Sequence, residues 1–391
     1  MTPGARVQAA IEILDEILEG KPAEQALTTW ARRSRFAGSK DRAAIRDHVF
    51  DALRGRRSLA ALGGAATGRG LMIGLVRAQG GDVDGLFSGA GHAPEPVTEA
   101  ERAKARDPAP GAEAADIPDW LWPRFQAALG ARAEEAGRIM QTRAPLHLRA
   151  NLLRTDRAGA SAALAADGIT AVAHPACDTA LEVTEGARQV ARSQAYLEGL
   201  VELQDAASQA IVARLPLQPG ARVLDYCAGG GGKTLALAAR MQSEVLAHDA
   251  AQQRMRDLPE RAARAGAKVR LLATEGLDRE APFDLVLTDV PCSGSGSWRR
   301  APDGKWALTP ERLAELGRIQ RAILQRAAEL VAADGVLAYA TCSMLHEENG
   351  DVVADFLAEQ TDWCLSEEAH WTVLDGTDGF FLAVLTRVGV K

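Results

Sequence analysis

Long apolar runs are missing from this sequence. Nowhere do about 18 consecutive uncharged apolar residues occur, which is the length that a membrane-spanning helix needs. The first twenty residues also carry acidic side chains where a signal peptide would be apolar. We therefore expect a cytoplasmic chain that contacts no membrane. Its 391 residues are enough for two or three domains, and we expect a monomer.

Cysteine is scarce and scattered. The chain has five cysteines, an odd number, and no two of them have CxxC spacing: Cys177, Cys227, Cys292, Cys342 and Cys364. This pattern argues against a disulfide framework and against a zinc site, so no metal is expected. It leaves room for a catalytic thiol.

Net positive charge is also absent, because the formal net charge is −7. Residues 31–57 nevertheless contain nine basic and three acidic residues, a local net charge of +6. The basic residues are Arg32, Arg33, Arg35, Lys40, Arg42, Arg46, Arg54, Arg56 and Arg57. Such a patch can contact phosphates even on an acidic chain. A solvated arginine-rich helix face explains the same charges, and charge alone does not separate the two interpretations.

The first half of the chain divides into three predicted parts. Residues 1–88 repeat apolar side chains at helical spacing, which predicts a small all-helical domain. Residues 89–116 are rich in Ala, Pro, Gly and Glu and predict a flexible linker. Residues 117–204 mix helical and strand patterns and predict a small α+β module.

The second half, residues 205–391, alternates short apolar strands with helices. The predicted strands are 222–227, 244–249, 268–274, 283–290 and 335–343, and the predicted helices include 233–241, 251–265 and 310–333. This alternation predicts an α/β domain with a mostly parallel, doubly wound, Rossmann-like sheet. Ligands of such sheets bind at the carboxyl ends of the strands, and the motifs below fall at those ends.

A glycine-rich turn follows the first of these strands, in the segment Asp225-Tyr-Cys-Ala-Gly-Gly-Gly-Gly-Lys-Thr234. Glycines let the backbone turn sharply and approach a ligand, and the next helix N-terminus attracts an anionic group. About 20 residues later Asp249 ends the second strand, where a carboxylate accepts the ribose hydroxyls of a nucleoside cofactor. A nucleotide P-loop would need glycine where Cys227 stands. The turn alone would also suit NAD, so other motifs must decide.

Two cysteines stand at the ends of neighbouring predicted strands, in Asp289-Val-Pro-Cys292-Ser-Gly and in Ala-Thr-Cys342-Ser. Cysteines within strands are usually inert core residues, but these two lie where a strand opens into the pocket, which favours catalysis. A thiolate that adds to carbon 6 of cytosine makes carbon 5 nucleophilic towards a sulfonium methyl group. Asp289 is well placed to share a proton with ring nitrogen 3. Candidate cations that would favour the thiolate are Arg299, Arg300 and Lys305.

Together these motifs resemble the NOL1/NOP2/Sun family of RNA (cytosine-5) methyltransferases, and most of all its bacterial members that act on small-subunit ribosomal RNA. The segment Gln204-Asp-Ala-Ala-Ser208 resembles the opening motif of the family's catalytic domain. The glycine turn is similar to the family turn, with Gly229-Gly230 in place of Ala-Pro. Further similar segments are Arg299–Trp306, Glu347-Glu348-Asn349 and Asp378-Gly-Phe-Phe381.

The resemblance implies a cofactor, a nucleophile and an RNA substrate. The cofactor would be S-adenosylmethionine, held by Cys227, Ala228, Gly229, Gly230, Gly231, Gly232, Lys233, Asp249, Arg254, Glu275 and Asp289. Cys342, in the Thr-Cys-Ser motif, would be the nucleophile, and Cys292 would help to release the product. Residues 39–54 resemble the family's NusB-like RNA-binding domain, and Leu148-Arg-Ala-Asn151 resembles the small module before the catalytic domain.

Two alternatives stay open at this point. The first is the same chemistry on transfer RNA or on large-subunit ribosomal RNA, because the target is chosen by the whole surface and by RNA shape. The second is a non-catalytic RNA-binding ribosome-assembly factor that keeps the methyltransferase fold. The altered glycine turn favours this factor, whereas Cys292, Cys342 and Asp289 argue against it.

Overall fold

The computed structural model describes residues 1–389. The predicted end of the catalytic domain, residue 391, lies outside this range. The chain forms two compact units: a helical unit of residues 1–143 with 298–308, and a sheet unit of residues 144–297 with the described residues from 309 onward. Within residues 1–389 no single helix is long and apolar enough to cross a membrane, although the sharply bent pair Arg56–Gly63 and Gly68–Ala78 meets the length and composition test jointly.

The helical unit is built from amphipathic helices that bury one apolar stripe each. In chain order they are α1 (Pro3–Leu18), α2 (Ala23–Arg33), α3 (Ser39–Arg54), α4 (Arg56–Gly63), α5 (Gly68–Ala78), α6 (Val83–Leu86), α7 (Glu99–Lys104), α8 (Trp122–Leu129) and α9 (Ala133–Met140), with α16 (Pro302–Ala307) from later in the chain. Leu14 of α1, Val49 of α3 and Leu71 of α5 are fully buried in a common core. The helical character predicted for residues 1–88 matches this arrangement.

The predicted flexible linker, residues 89–116, differs from the structure. Val97 packs into the helical core, and Thr98 and Glu101 form a capping box at the start of α7. The buried carboxylate of Asp116 accepts hydrogen bonds from the backbone N–H groups of Arg57 and Ser58 at 2.7 and 3.0 Å. Composition alone indicated flexibility, but a few apolar and buried polar contacts hold this segment against the helices.

The small α+β module was predicted for residues 117–204. Its first strand begins at Leu146, and the stretch from 117 to 143, which contains α8 and α9, packs with the helical unit. The module contains β1 (Leu146–Ala150), α10 (Arg157–Ala166), β2 (Thr170–Ala173), β3 (Ala180–Glu185), α11 (Gln194–Leu197) and β4 (Val201–Leu203). Its strands form an antiparallel sheet of order β2-β3-β1-β4. Leu148, Leu164 and Leu181 fill the apolar side of this sheet.

The second sheet has seven strands in the order β10-β11-β9-β8-β5-β6-β7. Its strands are β5 (Val223–Asp225), β6 (Val245–Ala247), β7 (Val269–Leu271), β8 (Phe283–Asp289), β9 (Val331–Thr341), β10 (Trp363–Trp371) and β11 (Phe380–Arg387). The helices are α12 (Ala206–Arg214), α13 (Gly232–Met241), α14 (Leu258–Ala265), α15 (Leu277–Glu280), α17 (Pro310–Ala328) and α18 (Gly350–Glu359). Strands β5 to β9 are parallel, and β10 and β11 close one edge in antiparallel pairing. The doubly wound α/β sheet is therefore confirmed.

Several predicted boundaries differ. The helix predicted for 251–265 is a short 3-10 helix, Gln252–Met255, followed by α14 from Leu258. The helix predicted for 310–333 ends at Ala328, and β9 begins at Val331 rather than at 335. Val331 pairs with Phe283 of β8, so tertiary pairing extends the strand into residues whose apolar pattern also fits a helix. Because β8 lies between β5 and β9, the carboxyl ends of these three strands are neighbours.

Candidate active site

Cys292 and Cys342, which follow the carboxyl ends of β8 and β9, are in contact. The sulfur atoms of Cys292 and Cys342 are 3.3 Å apart, and both residues are partly accessible. Strand pairing explains this contact, because Asp289 of β8 pairs with Ala340 of β9 and each cysteine follows within a few residues. The structure therefore brings together the two cysteines that the sequence placed at adjacent strand ends.

The pKa values of the two thiols are shifted in opposite directions. The hydrogen bond from the Cys292 thiol lowers the pKa of Cys342, and Lys233 lowers it further, while burial opposes both effects. The same hydrogen bond, together with burial, raises the pKa of Cys292 well above its usual range. Of the two thiols, Cys342 therefore has the lower pKa and is the one that ionises more readily.

The cation beside the thiol is Lys233. Its Nζ donates to Asp289 Oδ2 at 2.7 Å and lies 5.0 Å from the centre of the Phe380 ring. Arg299 and Lys305 were among the cations predicted from the sequence, whereas Lys233 is the cation that acts on the pKa of Cys342. Both belong to the helical unit, where Arg299 Nη2 donates to the carbonyl of Arg143 at 3.0 Å and Lys305 Nζ to that of Arg54 at 3.3 Å.

Glu348 joins the two cysteine-bearing loops, a role that sequence reasoning missed. Its buried carboxylate accepts hydrogen bonds from Ser293 N at 2.7 Å, Ser343 Oγ at 2.6 Å and Gln320 Nε2 at 3.1 Å. Ser293 directly follows Cys292, and Ser343 directly follows Cys342. The available signal was the Glu347-Glu348-Asn349 motif, but only the folded chain shows that Glu348 sets the spacing of the cysteines.

A close backbone approach explains the glycine of the closing motif. Gly379 N donates to Gly296 O at 2.9 Å, and a Cβ added at Gly379 would lie 2.4 Å from Met344 Cγ and 2.8 Å from the Cα of Gly296. A Cβ added at Gly296 would in turn lie 2.0 Å from Gly379 O. No side chain fits there. This contact holds the segment between Cys292 and Ser297 against the start of β11, and Gly296 N in turn donates to Cys342 O at 3.0 Å.

The predicted cofactor turn is pre-organised around Asp249. Its two carboxylate oxygens accept the N–H groups of Gly229 and Ala251, each at 2.9 Å, and Arg254 Nη1 lies 3.3 Å from Oδ2. Gly229 has φ +52°, and Gly231, the N-cap of α13, has φ +81°. Both values lie in the left-handed region that glycine favours. The turn thus brings Gly229, Asp249 and Arg254 together, as the sequence predicted.

The donors and acceptors around this turn suit a nucleoside linked to an amino acid. Buried Asp225 accepts from Thr234 Oγ1 at 2.6 Å, and burial raises its pKa to about 7. Its other oxygen, Oδ1, is buried and has no hydrogen-bond partner among residues 1–389. Three features of this turn therefore suit S-adenosylmethionine: the unpartnered Oδ1 of Asp225, the carboxylate of Asp249 after β6, and the N-terminus of α13. They fit its ribose hydroxyls and its charged groups.

Cys227 and Glu275 were also predicted to line the cofactor site. Cys227 follows β5, and Glu275 lies exposed in the turn Thr274–Gly276 after β7. The ring of His248, which the sequence analysis overlooked, joins these strand ends, because its nitrogens contact Tyr226 O at 2.7 Å and Thr274 Oγ1 at 3.0 Å. The contact of Glu275 with adenine stays a prediction.

The basic segment 31–57 divides into two kinds of side chain. Arg46 pairs with Glu24, and Arg54 is buried, where it donates to Arg299 O at 2.7 Å. Exposed members are Arg32, Arg33, Arg35, Lys40, Arg42 and Arg46. Phe36, which lies among them, is 76% exposed. Arg54 is therefore structural, Arg46 is exposed but paired with Glu24, and the other exposed members offer cations beside an exposed aromatic ring.

Comparison with known proteins agrees with this architecture. Residues 212–385 match the family described as 16S rRNA methyltransferase RsmB/F, and residues 117–190 match the RsmF/B-like ferredoxin-like domain. Ribosomal RNA small subunit methyltransferase B of Sodalis glossinidius is 35% identical over 288 residues, 69% of this chain and 65% of that protein. The Salmonella arizonae protein of the same name is 34% identical over 69% of this chain and 66% of its own length. The chain thus matches just under two thirds of the length of these relatives.

Solved structures share the fold. The crystal structure of PH0851 is 24% identical, with a TM-score of 0.76 over 99% of both chains. NSun6 from Pyrococcus horikoshii, solved with SFG, is 18% identical, with a TM-score of 0.62 over 70% of this chain and 98% of that chain. Taken with the matched families and relatives, the motifs show that the chain belongs to the RsmB/F methyltransferases of the S-adenosylmethionine-dependent NOL1/NOP2/Sun family.

Proposed function

We propose that this chain transfers a methyl group from S-adenosylmethionine to carbon 5 of a cytosine in small-subunit ribosomal RNA, through a covalent bond between Cys342 and carbon 6. The observation that carries the proposal is the pair of sulfur atoms 3.3 Å apart, in which the pKa of Cys342 is lowered. Methylation of an amine or a hydroxyl has no use for such a thiolate. The relatives named as small-subunit ribosomal RNA methyltransferases support the class of substrate.

The steps follow from the chemistry of the pyrimidine ring. The Cys342 thiolate adds to carbon 6, and the electrons of the carbon 5–carbon 6 double bond move to carbon 5, which becomes the nucleophile. Asp289 shares a proton with ring nitrogen 3 as negative charge develops there. After methylation a base takes the carbon 5 proton, the double bond returns and the sulfur–carbon 6 bond breaks. Cys292 assists this release step.

When bound, S-adenosylmethionine supplies an electrophilic methyl group on a sulfonium. Asp249 would accept the ribose hydroxyls, and its carboxylate is already held by the amides of Gly229 and Ala251. The remaining predicted contacts are Cys227, Ala228, Gly230, Gly231, Gly232, Lys233, Arg254, Glu275 and Asp289. Lys233 connects the two halves of the site, because it is part of the cofactor turn and donates to Asp289.

RNA would be bound in part by the helical unit. The exposed side chains of Arg33, Arg35 and Lys40 offer charges for phosphates, and exposed Phe36 offers a ring on which an unpaired base can stack. An exposed large aromatic residue within a basic segment is typical of binding to single-stranded RNA.

The test is methyl transfer from labelled S-adenosylmethionine to unmethylated small-subunit RNA, small-subunit particles, large-subunit RNA and transfer RNA. We expect label on carbon 5 of a cytosine in small-subunit RNA, and none with Cys342→Ala. Label confined to transfer or large-subunit RNA would overturn the proposed substrate and keep the chemistry. No label on any substrate, with RNA bound but no cofactor bound in calorimetry, would favour the assembly factor.

A further inference from the structure

Two buried histidines and a glutamate converge in the small α+β module, away from the cysteine pair. His147 of β1 is the cross-strand partner of Glu182 of β3, so both side chains project from the same face of the sheet. His174 follows β2 and hydrogen-bonds to the neighbouring strand through its backbone N–H, which donates to Ala180 O at 2.9 Å. One nitrogen or oxygen of each side chain lies within 4.8 Å of the other two.

His147 is oriented by a carboxylate. Its Nδ1 lies 3.0 Å from Asp205 Oδ2, and the side chain is fully buried. The N–H of Ala206 also lies 3.3 Å from Nδ1. Nδ1 thus faces both the N–H of Ala206, which would donate to a bare Nδ1, and the carboxylate of Asp205, which would accept from a protonated one. The carboxylate is closer and carries a full charge, so we place the proton on Nδ1 and the lone pair on Nε2. That Nε2 is buried and has no hydrogen-bond partner among residues 1–389.

A buried lone pair without a donor is costly unless something occupies the space that it faces. The His147 ring has a ligand atom within 4.8 Å of polar atoms of His174 and Glu182, and neither residue is a hydrogen-bond partner of Nε2. An imidazole that donates its other N–H to a carboxylate is the arrangement that orients histidines bound to metal ions. Imidazole nitrogens and a carboxylate oxygen are ligands that suit Zn²⁺.

We propose that His147, His174 and Glu182 bind a divalent transition-metal cation of the Zn²⁺ type, with Asp205 as the outer partner that orients His147. Three protein ligands leave one position of a tetrahedral site for water. The ion would join β1, the end of β2 and β3, and through Asp205 it would be linked to the N-terminus of α12. Cysteine spacing, on which the sequence analysis excluded zinc, carries no information about this site.

His174 has to change tautomer to take part. Its Nδ1 accepts the N–H of Ala176 at 3.2 Å, so the proton of the neutral ring lies on Nε2. Metal binding through Nε2 requires that this proton move to Nδ1, with loss of the 3.2 Å bond from Ala176.

The experiment uses the full chain without a histidine tag, stripped with a chelator and titrated with Co²⁺. Visible absorption reports the coordination of Co²⁺, and displacement by Zn²⁺ gives its affinity. We expect a single ion per chain. His147→Gln and His174→Gln should weaken binding by more than the 10–100-fold that loss of an outer-shell partner costs, and Asp205→Asn by about 10–100-fold.

Two matched controls make the result specific. His370→Gln removes an exposed histidine that contacts Glu368 and should leave the affinity unchanged. Cys342→Ala removes a competing thiolate and should also leave it unchanged. Thermal unfolding of the metal-free variants checks that each is folded. Unchanged binding in a folded His147→Gln, loss of binding in Cys342→Ala, or no spectroscopic signal with wild type would overturn the proposal.

Discussion

Cys227 in the cofactor turn and Cys342 in the cysteine pair both follow strands of the parallel sheet. Their surroundings nevertheless shift the pKa of the two thiols in opposite directions. Burial, and then the charges of Asp225 and Asp289, raises the pKa of Cys227 well above its usual range. At Cys342 the thiol of Cys292 and the ammonium of Lys233 lower the pKa. Position at a strand end therefore does not make a cysteine a nucleophile. The neighbouring donors and charges decide it.

Removal of each thiol in turn should have very different effects on methyl transfer. Cys342→Ala should lower methyl transfer by on the order of 10⁴-fold, because the covalent nucleophile is lost, while cofactor binding is unchanged. Cys227→Ala, the matched control, should keep kcat within about threefold, because a thiol that stays protonated contributes no nucleophile. Single-turnover methylation and calorimetry measure both. Substantial turnover by Cys342→Ala would contradict the assignment of the nucleophile.

Cys292→Ser separates the roles within the pair. Serine keeps a hydrogen-bond donor for the Cys342 thiolate, so the bond to carbon 6 should still form. Release should slow by on the order of 10²-fold, the usual size of a lost general acid–base contribution. A slowly migrating protein–RNA band on a denaturing gel should therefore accumulate. If Cys342→Ala gives this band and Cys292→Ser does not, the two roles are reversed.

Glu348→Gln tests whether the loops must be held together. An amide accepts at only one atom and cannot satisfy the donors from Ser293, Ser343 and Gln320. We expect kcat to fall by about tenfold and the free energy of unfolding by about 1–3 kcal/mol, with the affinity for S-adenosylmethionine unchanged. Glu347→Gln, the neighbouring substitution, is the control. An equal effect of both variants would remove the special role of Glu348.

Lys233→Met should give the smallest change in rate and the clearest change in pH dependence. The ammonium lowers the pKa of Cys342, so its removal moves that pKa up. The acid limb of the pH–rate profile, and the pH at which iodoacetamide alkylates Cys342, should both shift to higher pH. Below the thiol pKa we expect a loss of at most about tenfold, recovered at higher pH. A uniform loss at every pH would instead indicate a role in binding alone.

Local patterns predicted the parts of this molecule that depend on sequence neighbours. Apolar periodicity indicated the alternation of strands and helices from β5 onward, and glycine spacing indicated the turn before α13. The linker prediction for residues 89–116 was different from the structure, because the contacts of Val97 and Asp116 are with distant helices. The hydrogen bonds of Glu348 could not be predicted either, because its partners Ser293 and Gln320 are 55 and 28 residues away along the chain.

By itself the sequence determined the class of sheet, the ends of the strands and the residue types that stand there. Period-two and helical patterns, glycine and proline act over a few residues, so they can be read without a fold. The tertiary structure was needed to show that the environment of Cys342 lowers its pKa, that Lys233 contributes to this shift, and that His147, His174 and Glu182 converge. Charge, burial and hydrogen bonding act through space, and strands far apart in the chain become neighbours only when the sheet forms.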